Sequence, residues 1–373
     1  MKLTEISNDI NEWLSGQGPH SDIVLSSRIR LARNLVGFKF VSRCSVEEKR
    51  QVVETLREVL TQLDLGDEVF YISVDETSGL NRDFLVERHL ISRHHAMGKG
   101  PRGAVIARHE FFTGMINEED HLRMQVLKPG CQLAACAEQI NRIDALIEEK
   151  VEFAFSPRFG YLTACPTNLG SGVRMSVMLH LPALKMAGHL EKFLTAAKDM
   201  NLAVRGLFGE GTEATSDLYQ ISNQVTLGIS EAEIIDNLEN KVVPEIVAYE
   251  TEARKHLLFD KVQTLDDKIS RALALLQNAH LISSQEALVL LSHLRLGLNM
   301  RKHLEASTPA IEKLCELFDS SGKGSEALSI ATINRLFMLT LPAHLQMNCG
   351  KMLDPEGRDA LRAQIIRNTL TKN

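Results

Sequence analysis

The sequence predicts an α+β fold in which a mostly antiparallel sheet, flanked by helices, is followed by an all-helical C-terminal domain. Two observations support this prediction. Between residues 23 and 227, short segments alternate apolar and polar side chains, which is typical of half-buried strands. Beyond about residue 262, apolar residues recur only at helical spacing. We therefore predict one domain of residues 1–260 and a second domain of residues 261–373.

The strands are predicted where alternating segments end at glycine, proline or other turn residues. Leu122, Met124 and Val126, for example, alternate with Arg123 and Gln125. Predicted strands cover residues 23–31, several segments within 69–113 (including 84–92 and 104–107), 122–127, 161–164, 173–179, 202–206 and 218–227.

The helices are predicted from their starting signals and their apolar spacing. Ser45 and Ser230 each begin a capping box, Pro182 suits the first turn of a helix, and Asp354-Pro355 forms an N-cap and N1 pair. Predicted helices cover a segment within residues 1–20, then 45–63, 131–150, 183–200, 230–259, 266–280, 284–300, 309–319, 326–340 and 354–370.

Composition excludes several classes of protein. The net charge of −6 comes without a basic block, so nucleic acid is not an expected partner. No apolar run reaches the ~18 residues of a membrane span, and the N-terminus lacks the apolar region of a signal peptide. The six cysteines have no C-x-x-C spacing and are expected to be reduced thiols. We expect a cytoplasmic protein that does not bind membranes.

The stretch N-E-E-D-H-L-R at residues 117–123 combines acidic and basic side chains. If its strand extends back far enough, Glu119, His121 and Arg123 point to one face, whereas Glu118 points to the other and ranks below Glu119. A carboxylate beside a guanidinium on a rigid element suits a site for one cationic and one anionic group. A solvated cluster of surface charges is the commoner alternative for such a stretch.

Five arginines lie on predicted strands or at their ends, namely Arg28, Arg30, Arg123, Arg174 and Arg205. An antiparallel sheet could bring them to one face, where five permanent positive charges would be destabilising without a bound polyanion. A nucleoside triphosphate is the natural candidate, because guanidinium groups match phosphate oxygens bidentately. The sequence contains no P-loop and no protein-kinase motif, so any ATP would be bound by arginines.

The chain resembles the phosphagen (guanidino) kinase superfamily in four ordered segments, which are S-S-R-I-R at 26–30, residues 117–123, C-P-T-N at 165–168, and residues 205–210. It is most similar to the bacterial protein arginine kinases of the McsB type, because its S-S-R motif begins at Ser26 without a preceding helical domain and helices follow residue 260. The resemblance implies the guanido kinase, glutamine synthetase-like catalytic fold, with ATP and Mg²⁺ as cofactors and no metal ligand assigned to the protein.

By this resemblance, specific residues are expected to bind nucleotide or acceptor. Glu119 and Glu210 match the carboxylates that hold the acceptor guanidinium. The nucleotide phosphates would be held by Ser26, Ser27, Arg28, Ile29, Arg30, His89, Arg123, Arg174, Met175, Ser176, Val177, Met178, Arg205, Gly206, Leu207, Phe208, Gly209 and Glu210.

The chemistry of guanidinium phosphorylation agrees with these roles. A guanidinium is a poor nucleophile because its lone pairs are delocalised and its pKa exceeds about 12. Two carboxylates can orient it and accept the proton released as the N–P bond forms. Arginines and Mg²⁺ can then stabilise the transferring phosphoryl group.

Three of the candidate residues also have simpler, purely structural explanations. His89 could be a structural histidine, and Glu213 could be only a loop charge. Cys165 could be an inert core thiol, although its place in a loop beside cationic groups favours a reactive thiolate.

Two other functions are to be compared with the sequence. A kinase of a small guanidino compound would use the same chemistry, but such kinases carry a helical domain that this chain lacks at its N-terminus. A non-catalytic adaptor that binds nucleotide or phosphoarginine would have no use for the acceptor carboxylates. The proposed activity is therefore phosphorylation of arginine side chains in proteins.

The last predicted helix carries the segment Arg358, Asp359, Ala360, Leu361, Arg362 and Ala363. An intrahelical ion pair is its simplest explanation. The segment also matches the R-D-x-x-R-A motif of an allosteric phosphoarginine pocket in protein arginine kinases. The resemblance further implies a homodimer formed through the C-terminal domain, a zinc-binding activator protein, and delivery of the marked proteins to a Clp-type chaperone-protease.

Overall fold

A computed structural model describes residues 3–6, 11–206, 217–304, 307–320 and 328–371 of the chain. Within these residues, eight strands form one sheet in the order β2-β3-β4-β5-β1-β8-β10-β9, and every neighbouring pair is antiparallel. This confirms the predicted antiparallel sheet. The strands are β1 Val24–Arg33, β2 Val69–Ser73, β3 Gly103–Ala107, β4 Phe112–Ile116, β5 Leu122–Pro129, the small hairpin β6 Phe155–Ser156 and β7 Gly160–Tyr161, β8 Val173–His180, β9 Leu202–Gly206 and β10 Leu218–Asn223.

The helices flank the sheet and then follow it along the chain. They are α1 Leu3–Ile6, α2 Val46–Thr61, α3 Gly79–Glu87, α4 Arg93–Met97, α5 Leu133–Glu148, α6 Pro182–Met186, α7 Leu190–Asp199, α8 Glu231–Ile235, α9 Val243–Asp260, α10 Val262–Asn278, α11 Ser284–Leu304, α12 Pro309–Ser320, α13 Ile330–Leu339, α14 Pro342–Cys349 and α15 Pro355–Leu370. Among the described helices, none is both long and apolar enough to cross a membrane.

Several helix starts agree with the sequence signals. Ser45 and Ser230 form complete capping boxes, and the Asp354 side chain accepts a hydrogen bond from the Gly357 N–H at the start of α15. The helix that begins after Ser230 contains a π-helical segment, Asp236–Val242, before it continues as α9. These starts depend on local hydrogen bonds, which is why the sequence predicts them.

Three predicted elements are wrong in type or length. Residues 84–92 are not a strand, because Ser78 caps helix α3 and a turn follows its end at Glu87. The predicted helix over residues 183–200 breaks into α6 and α7 around Gly188, whose φ of +79° is left-handed. The strand predicted to reach residue 227 ends at Asn223, and α14 was not predicted.

The two faces of the sheet are covered differently. One face packs against α5 and α2 in a large apolar cluster that continues into helices α9 to α13 and α15. The other face carries a smaller cluster at β3 and β4, where α3 and α4 cover it. The remainder of this second face, over β5, β1, β8, β10 and β9, is where the candidate site lies.

Candidate active site

Strand register brings the five arginines to one face of the sheet. Arg30 lies directly opposite Arg174 across β1 and β8, and Arg123 lies opposite Ala32, two residues further along β1. Arg205 lies opposite Gln220, which lies opposite Met178 on the next strand. Because residues two apart share a face, Arg28 joins this group. The alternation of each strand predicted this grouping.

Two neighbouring cavities open on this arginine face. The larger, of about 270 Å³, is lined by four of the arginines together with His89, Glu118 and Gln125. The smaller, of about 160 Å³, is lined by Arg30, Arg123, Arg174 and Arg205 and by Thr167 and Asn168 of a loop. Ser26, Ser176 and Met178 line a narrow opening beside His89.

Apart from Arg123, the arginines of this face have no ion pair with a carboxylate among the described residues. Burial, and then repulsion from Arg174 and Arg205, lowers the pKa of Arg28 to about 10. Burial and repulsion from Arg28 and Arg174 lower the pKa of Arg30 well below its ordinary value. The Nε of Arg30 is buried and lacks a hydrogen-bond partner within the described part of the chain. A buried donor of this kind, amid like charges, fits a bound polyanion.

Arg123 differs from the other arginines because three carboxylates surround it. Its guanidinium pairs with Glu118 at 2.9 Å, Glu119 at 2.5 Å and Asp120 at 3.2 Å. Burial alone would lower its pKa, but the three carboxylates outweigh burial and raise the pKa. Glu119 is 39% exposed, whereas Glu118 and Asp120 are 3% and 0% exposed.

The geometry of residues 117–121 corrects the prediction that Glu119, His121 and Arg123 share a strand face. Strand β5 begins only at Leu122, and a turn precedes it in which Asn117 has a φ of +59°. The turn folds Glu118 back to the same guanidinium as Glu119, so the prediction that Glu118 points the other way is wrong, while its rank below Glu119 as an acceptor carboxylate stays a prediction. The buried ring of His121 instead accepts a hydrogen bond from the Leu35 N–H. No strand periodicity in the sequence signals such a turn.

His89 lines both the larger cavity and the narrow opening beside it. It lies after α3 with a left-handed φ of +59°, and Gln125 donates a hydrogen bond to its carbonyl oxygen at 2.6 Å. Trp13 contacts its ring edge-on, with centroids 5.5 Å apart. Burial, and then Arg28, lowers its pKa to about 3, so the ring is neutral at physiological pH.

Four of the expected nucleotide-binding residues place their side chains on the opposite face of the sheet. Ile29, Met175 and Val177 are buried in the large apolar cluster. The Ser27 hydroxyl donates to the Gly130 carbonyl oxygen and accepts from the Gln132 N–H. The side chains of these four residues therefore do not reach the cavities, because alternate residues of β1 and β8 face away from them, and a part for these residues in holding the nucleotide stays a prediction.

Cys165 lies in the loop that follows β7. Its thiol is within 3.0 Å of the Thr167 hydroxyl and is partly exposed. Thr167 and Asn168 of the same loop line the smaller cavity. The loop thus lies at the candidate site as predicted, while the reactivity of the thiol stays a prediction.

Strand β9 ends at Gly206, and residues 207–216 lie outside the described residues. The expected roles of Leu207, Phe208, Gly209 and Glu210 therefore have no structural account here, and neither does the loop charge Glu213. Asp217, where the description resumes, accepts hydrogen bonds from Lys185 and Ser292.

The C-terminal segment 358–363 is helical, as predicted, but its charges are already engaged. Arg362 is 1% exposed and pairs with Asp359 at 2.5 Å. It also donates to the carbonyl oxygens of Thr340 and Ile282 and to the Ser284 hydroxyl. Arg358 donates to the Leu353 carbonyl oxygen. The buried Arg362 is thus first a structural link between helices.

Comparisons with known proteins identify relatives over the full chain. Residues 51–253 match the family described as "ATP:guanido phosphotransferase, C-terminal catalytic domain", and residues 262–318 and 325–373 match "Protein-arginine kinase McsB C-terminal domain". The chain is 42% identical to a protein-arginine kinase of Halothermothrix orenii, over 99% of each sequence. It is 40% identical to that of Bacillus pumilus, over 98% of this chain and 94% of the relative. A crystal structure of lombricine kinase matches with a TM-score of 0.55 and 29% identity, over 65% of this chain and 70% of that one.

Proposed function

The chain belongs to the ATP:guanido phosphotransferase family, and on this basis we propose that it is a protein arginine kinase that transfers the γ-phosphate of ATP to arginine side chains of proteins. The observation that carries the proposal is the row of arginines that lines one cavity with Glu118, while Glu119 pairs with Arg123 of the same row. Full-length relatives named protein-arginine kinase support a protein acceptor over a small guanidino compound.

The nucleotide triphosphate would lie across the arginine face. Arg28, Arg30, Arg174 and Arg205 offer guanidinium donors, and the unpartnered Nε of Arg30 fits a phosphate oxygen. Mg²⁺ would supply charge neutralisation at the phosphates. Its ligands would come mainly from the nucleotide phosphates, because Mg²⁺ bound to a nucleotide usually takes few ligands from the protein.

The acceptor guanidinium would bind at Glu119. This carboxylate is the most exposed of the three around Arg123. A phosphate oxygen that approaches Arg123 competes with Glu119 for the guanidinium and releases the carboxylate for the acceptor. Glu210, the second expected carboxylate, lies outside the described residues.

Phosphoryl transfer then follows from positioning and charge. A nitrogen of the acceptor forms a bond to the γ-phosphorus while the bond from phosphorus to the β,γ-bridging oxygen breaks, which leaves ADP. Glu119 accepts the proton that the acceptor nitrogen loses. The arginines stabilise the negative charge on the transferring group, and burial strengthens these interactions.

Several finer features are part of the proposal. The family resemblance supports the division at residue 260, the homodimer, the zinc-binding activator, the Clp-type chaperone-protease, the phosphoarginine pocket and the cytoplasmic location. Helices α10 to α15 would form the regulatory part that distinguishes a protein arginine kinase from phosphagen kinases.

A direct test uses the product. The enzyme is incubated with ATP, Mg²⁺ and either an unrelated protein or free arginine, and phosphoarginine is detected by mass spectrometry under non-acidic conditions. We expect acid-labile phosphate on the protein. Efficient phosphorylation of free arginine without any on protein would support the small-guanidino alternative and overturn the proposal.

Matched variants test the acceptor carboxylate. Glu119→Gln should reduce turnover by at least about 10²-fold, since an amide can neither pair with the acceptor nor accept its proton. Glu47→Gln, in an exposed ion pair with Arg50 on α2, should retain the parental rate. Near-normal turnover of Glu119→Gln would show that the acceptor site lies elsewhere.

A further inference from the structure

Asp120 joins two walls of the smaller cavity although it is itself fully buried. One carboxylate oxygen accepts from the Arg123 Nε at 3.2 Å. The other accepts from the Ala164 N–H at 2.7 Å and from the Asn34 side-chain amide at 2.8 Å. All three donors belong to different segments of the chain.

Two of these donors belong to the walls of the smaller cavity, namely Arg123 and the loop that contains Ala164. Arg123 lines the smaller cavity from one side, and Thr167 and Asn168 line it from the loop. Asn34 strengthens the link, since its amide also donates to the Leu162 carbonyl oxygen at 3.0 Å. The loop is therefore held at residues 162 and 164 by the pair formed by Asn34 and Asp120.

We propose that Asp120 is a positioning residue that holds the Ala164–Asn168 segment in register with Arg123. The inference rests on the proposed function, because it takes Arg123 to be a nucleotide-binding group. A buried carboxylate requires its hydrogen-bond donors. Displacement of the loop would leave Asp120 short of a donor, and a shift of Arg123 would do the same. The two walls of the cavity are thus coupled through one side chain.

According to the proposal, Asp120 differs from a side chain that only anchors the loop, because Asp120 also holds Arg123. The hydroxyl of Thr226 lies 3.0 Å from the Thr167 carbonyl oxygen and 2.7 Å from that of Leu169. Thr226 thus holds the other end of the same loop, and Arg123 is not among its hydrogen-bond partners. Thr226→Val is the matched control.

The variants are Asp120→Ala, Asp120→Asn and Thr226→Val, each checked for folding by thermal unfolding. The first readout is the rate at which iodoacetamide modifies Cys165 without substrates, measured on its peptide by mass spectrometry. The second is the dissociation constant of a non-hydrolysable ATP analogue with Mg²⁺. Neither readout requires turnover, so failure of the proposed activity would not imitate failure of this inference.

Asp120→Ala should raise the Cys165 modification rate and weaken nucleotide binding, each by about tenfold, the effect of one lost charge-assisted hydrogen bond. Thr226→Val should raise the modification rate but leave nucleotide affinity at the parental value. A folded Asp120→Ala protein with parental values in either readout would overturn the proposal.

Asp120→Asn covers the case in which the alanine variant does not fold. The amide has the shape of the carboxylate but only one acceptor oxygen, so it can serve either Arg123 or Ala164 but not both. At least one readout should therefore change by several-fold. Parental values in both would show that Asp120 does not position the two walls.

Discussion

At the scale of single residues, the site is built from side chains whose charges cost stability in the free protein. Arg30 and Arg174 lie directly opposite each other on adjacent strands, and like charges in such a pair repel. Arg174 has only the Ser222 hydroxyl as a described hydrogen-bond acceptor nearby. A bound triphosphate would convert this repulsion into attraction.

Replacement of Arg174 tests whether this charge lowers the stability of the free protein and strengthens nucleotide binding. Arg174→Met keeps the length of the side chain but removes its charge. Without nucleotide, the variant should be more stable to urea by up to about 1 kcal/mol. Its affinity for an ATP analogue should fall at least about tenfold. Arg108→Met, at an exposed pair with Glu68, should change neither quantity, and unchanged affinity in Arg174→Met would remove Arg174 from the nucleotide site.

The neutral His89 predicts a pH dependence of stability. Burial and Arg28 lower its folded-state pKa to about 3, below the unfolded value of about 6.5. The unfolded state therefore binds a proton first as the pH falls. The stability that neutral His89 contributes is complete above pH 6.5 and is lost towards pH 3, at up to about 1.4 kcal/mol per pH unit.

His89→Asn isolates this contribution, because asparagine tolerates the left-handed φ and does not titrate. The free energy of unfolding is measured in urea at pH 7.5, 5.5 and 4.5 for parent and variant. The free energy of unfolding of the parent minus that of the variant should decrease as the pH falls. Parallel pH profiles for the two proteins would contradict the assignment of a neutral, buried histidine.

At the scale of elements, α3 connects the candidate site to the C-terminal helices. Its last residue, Glu87, accepts hydrogen bonds from the N–H groups of Ala343 and His344 at 2.8 and 2.9 Å, and from the His344 ring. Glu87 therefore caps α14, and a carboxylate at a helix N-terminus is favourable. Only Arg88 separates Glu87 from His89 at the cavity.

Removal of this cap should loosen α14. Glu87→Ala is expected to lower the free energy of unfolding by about 1–3 kcal/mol, because it leaves two backbone donors without their acceptor. Hydrogen exchange of residues 342–349 should accelerate more than that of α5. Glu252→Ala, in an exposed pair on α9, is the control and should lie within about 0.5 kcal/mol of the parent. Equal exchange in α14 of both variants would show that Glu87 is not its anchor.

At the scale of the whole molecule, the catalytic sheet and the C-terminal helices share one apolar cluster. The buried Arg295 of α11 crosses the same boundary and meets the buried Arg254 of α9 at one segment. Arg254 and Arg295 both reach the segment before β1, where Arg254 pairs with the Asp22 carboxylate and Arg295 donates to the Ser21 and Asp22 carbonyl oxygens. The division at residue 260 stays a prediction about how the chain is organised, and it does not imply separate cores.

Arg362 offers a test of the C-terminal architecture. Arg362→Ala should destabilise the protein by about 3 kcal/mol or more, because it removes three hydrogen bonds that join α15 to residues 282, 284 and 340, together with the ion pair to Asp359 within α15. Asp359→Ala should cost much less, since Asp359 is 35% exposed. Urea unfolding measures both, and similar values would contradict the structural role of Arg362. Asp359→Ala is therefore the better variant for testing phosphoarginine binding.

Local signals in the sequence determined much of this protein. Period-two alternation predicted the strands that carry Arg28, Arg30, Arg174 and Arg205, and capping boxes predicted the helix starts at Ser45 and Ser230. These features depend on hydrogen bonds and side-chain periods within a few residues, so they can be read along the chain. The same periodicity placed the arginines on one face once the strands paired.

Only the tertiary structure decided the arrangement around Arg123. Three consecutive carboxylates converge on one guanidinium because a turn at Asn117 interrupts the predicted strand, and Asp120 links that guanidinium to a loop more than forty residues away in the sequence. For Arg362, the sequence suggested an intrahelical ion pair, whereas the structure shows a buried side chain that links helices. Its acceptors lie on segments that are distant along the chain. Such contacts depend on which segments meet in the fold, and no periodicity within a single segment carries that information.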